Sequence, residues 1–170
     1  MLAPLANRLG LWQLKWELED LAFRFMAGDT YRSLARQLEE KRREREDFVA
    51  AITSHLRELL ASAGLRAEVT GRPKHIYSIW NKMRSKRLAL DDIRDLRGLR
   101  VIVDDVRECY SALALIHSRW APIHEEFDDY IARPKPNGYQ SLHTVVLAED
   151  GRPLEVQIRT RAMHQFAEYG

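Results

Sequence analysis

The sequence predicts an α+β fold, a small mixed β-sheet flanked by helices and led by an N-terminal helical segment. Three observations carry this. Apolar residues recur at helical spacing from Leu9 through Leu59. Strand-like alternation begins only after Gly64. From there the patterns run strand, helix, strand, helix, strand, strand, helix. The chain has 170 residues, ordinary for one domain and enough to bury a core without staples.

The first helix is carried by Leu9, Trp12, Leu14, Leu18, Leu21 and Phe25. Ala27-Gly28-Asp29 breaks it, and Asp29 or Thr30 is placed to cap the next helix. That second helix is expected to run to Gly64, with Tyr31, Leu34, Leu38, Phe48, Ile52, Leu56 and Leu59 as its stripe. The charged run Glu39 to Asp47 alternates in sign, so it reads as a solvated face rather than a nucleic-acid patch. Leu65, Ala67 and Val69 alternate as in a short strand. A helix is expected from Pro73 to Lys86, with Ile76, Ile79, Trp80 and Met83 inward and proline in the first turn.

Leu99 to Val103 reads as a buried strand. Asp105 to Trp120 reads as a helix with Val106, Tyr110, Leu113, Ile116 and Trp120 toward the core. Cys109 lies near that face, which suits a structural thiol. Ser141–Leu147 and Leu154–Arg159 form a hairpin through Glu149-Asp150-Gly151-Arg152, and Thr160 opens a last helix.

Composition excludes several classes. At 45% apolar and 31% charged residues the chain is globular, not disordered. No apolar run approaches the ~18 residues of a membrane span. The first residues lack the apolar stretch of a secretory signal. A lone Cys109 excludes an internal disulfide and a multi-cysteine zinc site, and a reducing cytoplasm is expected. Lys and Arg number 27 against 25 Asp and Glu, a net charge of +2. This balance points to no DNA partner, and the pI near 8.8 hints only weakly at an anionic ligand.

Three clusters carry chemistry. Arg72, Lys74, Ser78 and Lys82 stand at the start of an expected helix, and the last three are four apart. Cations and a hydroxyl there suit phosphate oxygens, although an ordinary basic helix surface explains the same spacing. Asp95 precedes the strand that carries Arg100, where an acid can hold a hard cation. A strand with one face in solvent would also accommodate Arg100. The densest cluster is Arg133 to His143. Lys135, Asn137, Tyr139, Gln140 and His143 offer a cation, hydrogen bonds and an aromatic face, a set that suits a purine nucleotide. A surface loop with Tyr139 packed is the bland alternative. Glu155, Gln157 and Arg159 alternate with Val156 and Ile158, giving the last strand a polar face and a second carboxylate.

These stretches closely resemble the synthetase domain of the RelA/SpoT family. The matching motifs are Gly71-Arg72-Pro73-Lys74-His75-Ile76-Tyr77-Ser78, Asp95-Leu96-Arg97-Gly98-Leu99-Arg100, Tyr130 to Thr144, and Glu155-Val156-Gln157-Ile158-Arg159-Thr160. Leu5 to Gly10 and the helix after it resemble the segment that joins the family's hydrolase domain to the synthetase. The resemblance divides the chain into a lead-in, 1–28, and a synthetase domain, 29–170, whose C-terminal end reads as truncated. It implies a nucleotidyltransferase-like fold and transfer of pyrophosphate from ATP to the 3′-hydroxyl of GDP or GTP, making the alarmone of the bacterial stringent response.

By the matching motifs, Asp95 and Glu155 are the catalytic pair and hold Mg²⁺. Arg72 and Arg100 sandwich adenine, and Lys74, Ser78 and Lys82 follow the ATP phosphates. Tyr139 stacks on guanine, with Lys135, Asn137 and His143 around the acceptor. Glu126, Asp128 and Asp129 stand where bifunctional members carry a basic stretch, as in the synthetase-only RelA branch. If Phe127 turns inward, Glu126 and Asp128 share an open face and recruit further Mg²⁺. A ribosome partner is implied through regions of the parent protein outside this chain. Two other readings stand beside this one: a guanine-nucleotide-binding regulatory fragment without turnover, and an RNA-binding module. RNA binding that GDP does not compete would mark the last.

Overall fold

The structure is a computed structural model that describes residues 12–72, 74–92 and 97–170. The start of the first expected helix, Pro73 and Asp95 lie outside the described residues. Three helices come first: α1 (Trp12–Met26), α2 (Gly28–Glu40) and α3 (Arg42–Ser62). The single helix expected up to Gly64 is thus two, parted at Lys41. Two cores draw its stripe apart. Leu34 and Leu38 of α2 join Phe23, whereas Ile52, Leu56 and Leu60 of α3 pack on the sheet. Ala27, not Asp29 or Thr30, occupies the N-cap of α2, without a side-chain cap. Asp29 serves inside the first turn, where the helix dipole favours it and Arg32 pairs with it at 3.0 Å. Gly64, at φ +79°, takes the left-handed turn after α3.

The sheet follows. Its strands are β1 (Glu68–Gly71), β2 (Gly98–Val103), β3 (Asp128–Asp129), β4 (Leu142–Leu147) and β5 (Pro153–Thr160), with α4 (Ile76–Lys86), α5 (Val106–Arg119) and α6 (Arg161–Tyr169) between and after them. Strand order is β1-β2-β5-β4-β3; β2 and β5 run parallel and every other pair is antiparallel. The α+β expectation and the β4–β5 hairpin are borne out. β3 was not foreseen, because two residues carry no alternation to read.

Val69, Leu99, Val101, Val103, Leu142, Val146, Val156 and Ile158 share one core with α3 and α5. Asp105 caps α5 by accepting from the Glu108 N–H at 2.8 Å, and Glu108 Oε2 accepts in return from the Asp104 N–H. The core side of α5 is Cys109, Ala112 and Ile116, followed by Trp120. The expected stripe thus holds at Ile116 and Trp120, with Leu113 packed against the core, and a rotation of the first turns corrects it at Val106 and Tyr110. Val106 and Tyr110 are exposed. Two small residues let α5 lie close on the sheet, while Tyr110 reaches the edge and donates to Asp129 Oδ2 at 2.9 Å. Burial pushes the Cys109 thiol up to about 12, which suits a packing role.

A second core joins α1, α2 and α4 through Phe23, Leu34, Leu38, Ile79 and Leu90. Phe23 stacks on Trp80 with ring centroids 4.6 Å apart. α4 is therefore anchored through helices. The opposite face of the sheet stays polar, and α1, α4 and α6 stand around it.

Candidate active site

The register of the sheet aligns a row of polar side chains across all five strands. Thr70 pairs with Arg100, Arg100 with Gln157, Gln157 with His143, and His143 with Asp128. Glu155 stands two residues before Gln157 on the same face. The middle of the row, on β5, is roofed over rather than solvated: Glu155, Gln157 and Arg159 are all buried, while Asp128 at the edge is exposed. Arg100 is thus explained by a cavity and not by a solvent-facing strand.

Glu155 is the centre of charge. Its Oε2 accepts from Arg72 Nη1 at 2.7 Å and lies 3.5 Å from Lys74 Nζ, and its Oε1 lies 3.8 Å from His143 Nδ1. With its amide oriented by the hydrogen-bond network, Gln157 accepts from Arg72 Nε and Nη2 at 3.0 and 3.2 Å. The Arg72 guanidinium is thereby clamped along its whole fork, with its plane fixed.

Beside this clamp lies a cavity of about 210 Å³ lined by Arg72, Arg100, Lys135, Tyr139, His143 and Arg159, among others. Burial lowers the Arg100 guanidinium, opposed by Glu168, with Arg72 adding to the fall. Arg159 drops to about 10, chiefly by burial. Glu168 Oε1 lies 3.8 Å from Arg100 Nη2 and 3.6 Å from Arg159 Nη2. The Nε atoms of both arginines are buried and meet no hydrogen-bond partner. Buried guanidinium N–H groups beside a cavity are donors awaiting an anionic ligand.

The loop from Arg133 to His143 is organised by aromatic contacts. The Tyr139 hydroxyl shares a 2.8 Å hydrogen bond with His143 Nε2, and Tyr130 packs edge-on against both rings. Lys135 Nζ sits over Tyr130 at 4.6 Å and near Tyr139 at 5.4 Å. Asn137 Oδ1 accepts from the Tyr139 N–H, so Asn137 shapes the turn. Gly138 has φ +86°, and a Cβ there would stand 3.1 Å from the Phe166 ring of α6. Burial, then the charges of Arg72 and Lys135, lowers the His143 imidazole to about 3.

Some expected site residues fall elsewhere. The helix starts at Ile76 and not Pro73, since His75 is extended at φ −78°, ψ 139°. Lys74 therefore precedes α4 and does not share a helical face with Ser78 and Lys82. It reaches Glu155 instead, because Arg72 is held to β2 by donating its N–H to Gly98 O at 2.9 Å. Ser78 is exposed and Lys82 half-buried along α4.

In the acidic stretch Phe127 is exposed, not turned inward, and packs edge-on against His117. Glu126 closes a short 3-10 turn, His124–Glu126, so it shares no extended face with Asp128. Asp128 alone joins the polar row. Asp129 is occupied with structure, accepting from Tyr110, Ile131 N–H and Ala132 N–H. Lys15 and Trp16 of α1 also line the cavity, as does Ala167, and no motif near them points there.

The comparisons follow the same residues. The family described as "Region found in RelA / SpoT proteins" matches residues 71–170, from the end of β1 through α6. The chain belongs to the RelA/SpoT family. It is similar to the GTP pyrophosphokinase of Escherichia coli strain K12, 51% identical over 168 residues, 99% of this chain and 23% of that protein. The GTP pyrophosphokinase of Photobacterium angustum matches with the same figures. The chain thus spans less than a quarter of the length of these curated relatives. Among solved structures, small alarmone synthetase 1 from Bacillus subtilis bound to its product pppGpp has a TM-score of 0.58 at 28% identity, covering 78% of this chain and 76% of that one. The RelA/SpoT region holds every cavity residue from Arg72 onward; Lys15 and Trp16 precede it.

Proposed function

We propose that this RelA/SpoT chain is the catalytic synthetase portion of a GTP pyrophosphokinase, transferring pyrophosphate from ATP to the 3′-hydroxyl of GDP or GTP. The observation that carries the reading is the cavity in which Arg72, Arg100, Lys135 and Arg159 converge beside one buried carboxylate and the Tyr139–His143 pair. Four cations with an aromatic platform suit a pair of nucleotides rather than an apolar ligand. The names of the relatives and the pppGpp-bound neighbour support the same chemistry.

In this reading the acceptor's 3′-oxygen bonds to the β-phosphorus of ATP, the bridge from the α-phosphate to the β-phosphorus breaks, and AMP leaves. Arg72 and Arg100 hold adenine, and Lys74, Ser78 and Lys82 run along the phosphates. Tyr139 stacks on guanine, Lys135 and His143 contact the acceptor, and Asn137 keeps Tyr139 in place. Glu155 takes the 3′-hydroxyl proton. Such transfer needs alignment and neutralised charge more than covalent chemistry.

Glu155 and its expected partner Asp95 would hold Mg²⁺, an ion that needs only one or two carboxylates beside phosphate oxygens, and Arg72 and Lys74 would then share Glu155 Oε2 with it. When bound it neutralises charge on the transferred phosphate. Among the described residues no helix is long and apolar enough to cross a membrane. A cytoplasmic setting and a ribosome contact made by other parts of the whole protein complete the proposal.

The test is incubation with ATP, GDP or GTP and Mg²⁺, followed by separation of nucleotides. AMP and guanosine tetra- or pentaphosphate should appear in equal amounts. Saturable GDP binding without AMP release would overturn turnover and leave a guanine-nucleotide-binding module.

A further inference from the structure

α1 turns a mixed polar and aromatic face inward. Leu14, Leu21 and Phe25, which carry its helical periodicity, are exposed, Phe25 at 92%. The attachments are made instead by Trp16, Asp20 and Phe23, while Lys15 pairs with Glu19 of the same helix at 3.6 Å. Trp16 stacks on His75, with ring centroids 4.9 Å apart and planes 26° from parallel. One turn further, Asp20 Oδ1 accepts from the Tyr77 N–H at 2.9 Å, and Oδ2 lies 3.4 Å from His75 Nδ1. Next along the same face, Phe23 is 3% exposed against Trp80. α4 has no cap of its own, since His75 makes no side-chain cap bond. Asp20 supplies the missing acceptor from α1. This docking brings Lys15 and Trp16 to the wall of the cavity beside Arg72 and Arg100.

We propose that α1 is a wall of the ATP site, with Trp16 and Lys15 as substrate-facing residues and Asp20 as the residue that positions them. The inference rests on the reading of Arg72 and Arg100 as the adenine clamp. An indole ring offers a base a stacking surface, and an ammonium offers phosphate oxygens a donor. Trp16 belongs to the ATP side because its partner His75 follows Lys74 directly, whereas Tyr139 and Lys135 come from the guanine-side loop. A helix held only for core packing would turn Leu14 and Leu21 inward and leave Lys15 and Asp20 in solvent.

The test is calorimetric titration of the intact 170-residue chain with ATP alone and with GDP alone, alongside melting temperatures. Trp16→Ala should weaken ATP about tenfold, or ~1.4 kcal/mol, and leave GDP within about twofold. Trp16→Phe should restore most of the ATP affinity. Asp20→Ala should weaken ATP less than Trp16→Ala does, again sparing GDP. Unchanged or tighter ATP binding by Trp16→Ala, or equal losses for both nucleotides, would overturn the proposal. If ATP binds the unmodified chain normally and Trp16 has no effect, only α1's role fails. If ATP does not bind while GDP does, the assignment of the adenine clamp fails with it. Should Trp16→Ala fold poorly, Lys15→Ala, which leaves the Trp16–His75 stack in place, keeps the test decisive: it should weaken ATP and spare GDP, and unchanged ATP binding would overturn the proposal.

Discussion

Arg72 Nη1 and Glu155 Oε2 meet at 2.7 Å, although 83 residues of chain separate them. The contact joins the exit of β1 to the central strand β5, and Lys74 and His143 gather round the same carboxylate. Glu155→Gln keeps the volume and a hydrogen-bond acceptor but removes the charge that Arg72 and Lys74 face. Synthesis should fall by at least about a hundredfold, since charge placement dominates such transfer. The melting temperature should fall too, because a clamped, largely buried guanidinium loses its counter-ion. Turnover within a few-fold of the parent would remove Glu155 from the chemistry.

Tyr139 offers the cavity an aromatic ring and gives His143 a hydroxyl, and substitution separates the two. Tyr139→Ala removes the ring and should weaken GDP by about 1–3 kcal/mol, with a smaller effect on ATP. Tyr139→Phe keeps the ring and loses only the bond to His143 Nε2, so most GDP affinity should remain. Titration of each variant with each nucleotide checks this. Equal losses for ATP and GDP in Tyr139→Ala would make the ring structural.

The pH dependence of stability has a defined sign. In the folded chain His143 titrates at about 3, below the ordinary histidine value of 6.5. Between those values the unfolded chain binds a proton that the folded chain does not. Stability therefore rises with pH across that window and is complete above 6.5. His117 and His164 shift in the same direction, chiefly by burial. Urea unfolding at several pH values from about 4 to 7 should show this slope, and His143→Gln should flatten it. An unchanged slope would mean that His143 is protonated without penalty in the fold.

Arg97 fastens the segment before β2 to the rest of the sheet. Its guanidinium grips Asp150 in the β4–β5 turn at 2.9 and 3.3 Å and covers the Phe48 ring at 3.5 Å, while its carbonyl accepts from the Glu155 N–H at 2.9 Å. Hydrogen bonding to Arg97 is the main cause that lowers the Asp150 carboxyl. Arg97→Lys keeps a charge but loses the fork and the stacking plane. It should cost about 1–2 kcal/mol in denaturant unfolding, discounted for the part-exposed Asp150. A lysine that stabilised equally would reduce the contact to a point charge.

Asp128 and Asp129 should separate cleanly. Asp128 pairs with His143 in the sheet, whereas Asp129 accepts three hydrogen bonds in the turn. Asp128→Lys should lower the Mg²⁺ concentration for half-maximal synthesis, because a cation replaces an anion on the polar row beside the proposed phosphate site. Asp129→Ala should instead lower stability by about 1–2 kcal/mol and leave that midpoint alone. The reverse pattern would exchange their roles.

Periodicity alone determined that helices come first, that β4 and β5 form a hairpin through Asp150-Gly151, and that Thr160 caps the last helix. Those features depend on neighbours a few residues apart, where side-chain period and turn chemistry act directly. The motifs also named the chemistry-bearing side chains Arg72, Arg100, Tyr139, His143 and Glu155. Their mutual geometry was not legible. The Gln157 and Glu155 clamp on Arg72 depends on strand order and register, which set distant residues opposite one another. The inward face of α1 was not legible for a related reason. Its apolar period reads as a core face, yet Asp20, Trp16 and Phe23 find better partners on α4. The break at Lys41 and the rotation of α5 follow too, since each helix turns to satisfy two packing partners at once. Local pattern determined which elements form. Only the tertiary structure decided which side of each element meets the cavity, because burial and hydrogen-bond satisfaction are settled between elements and not within them.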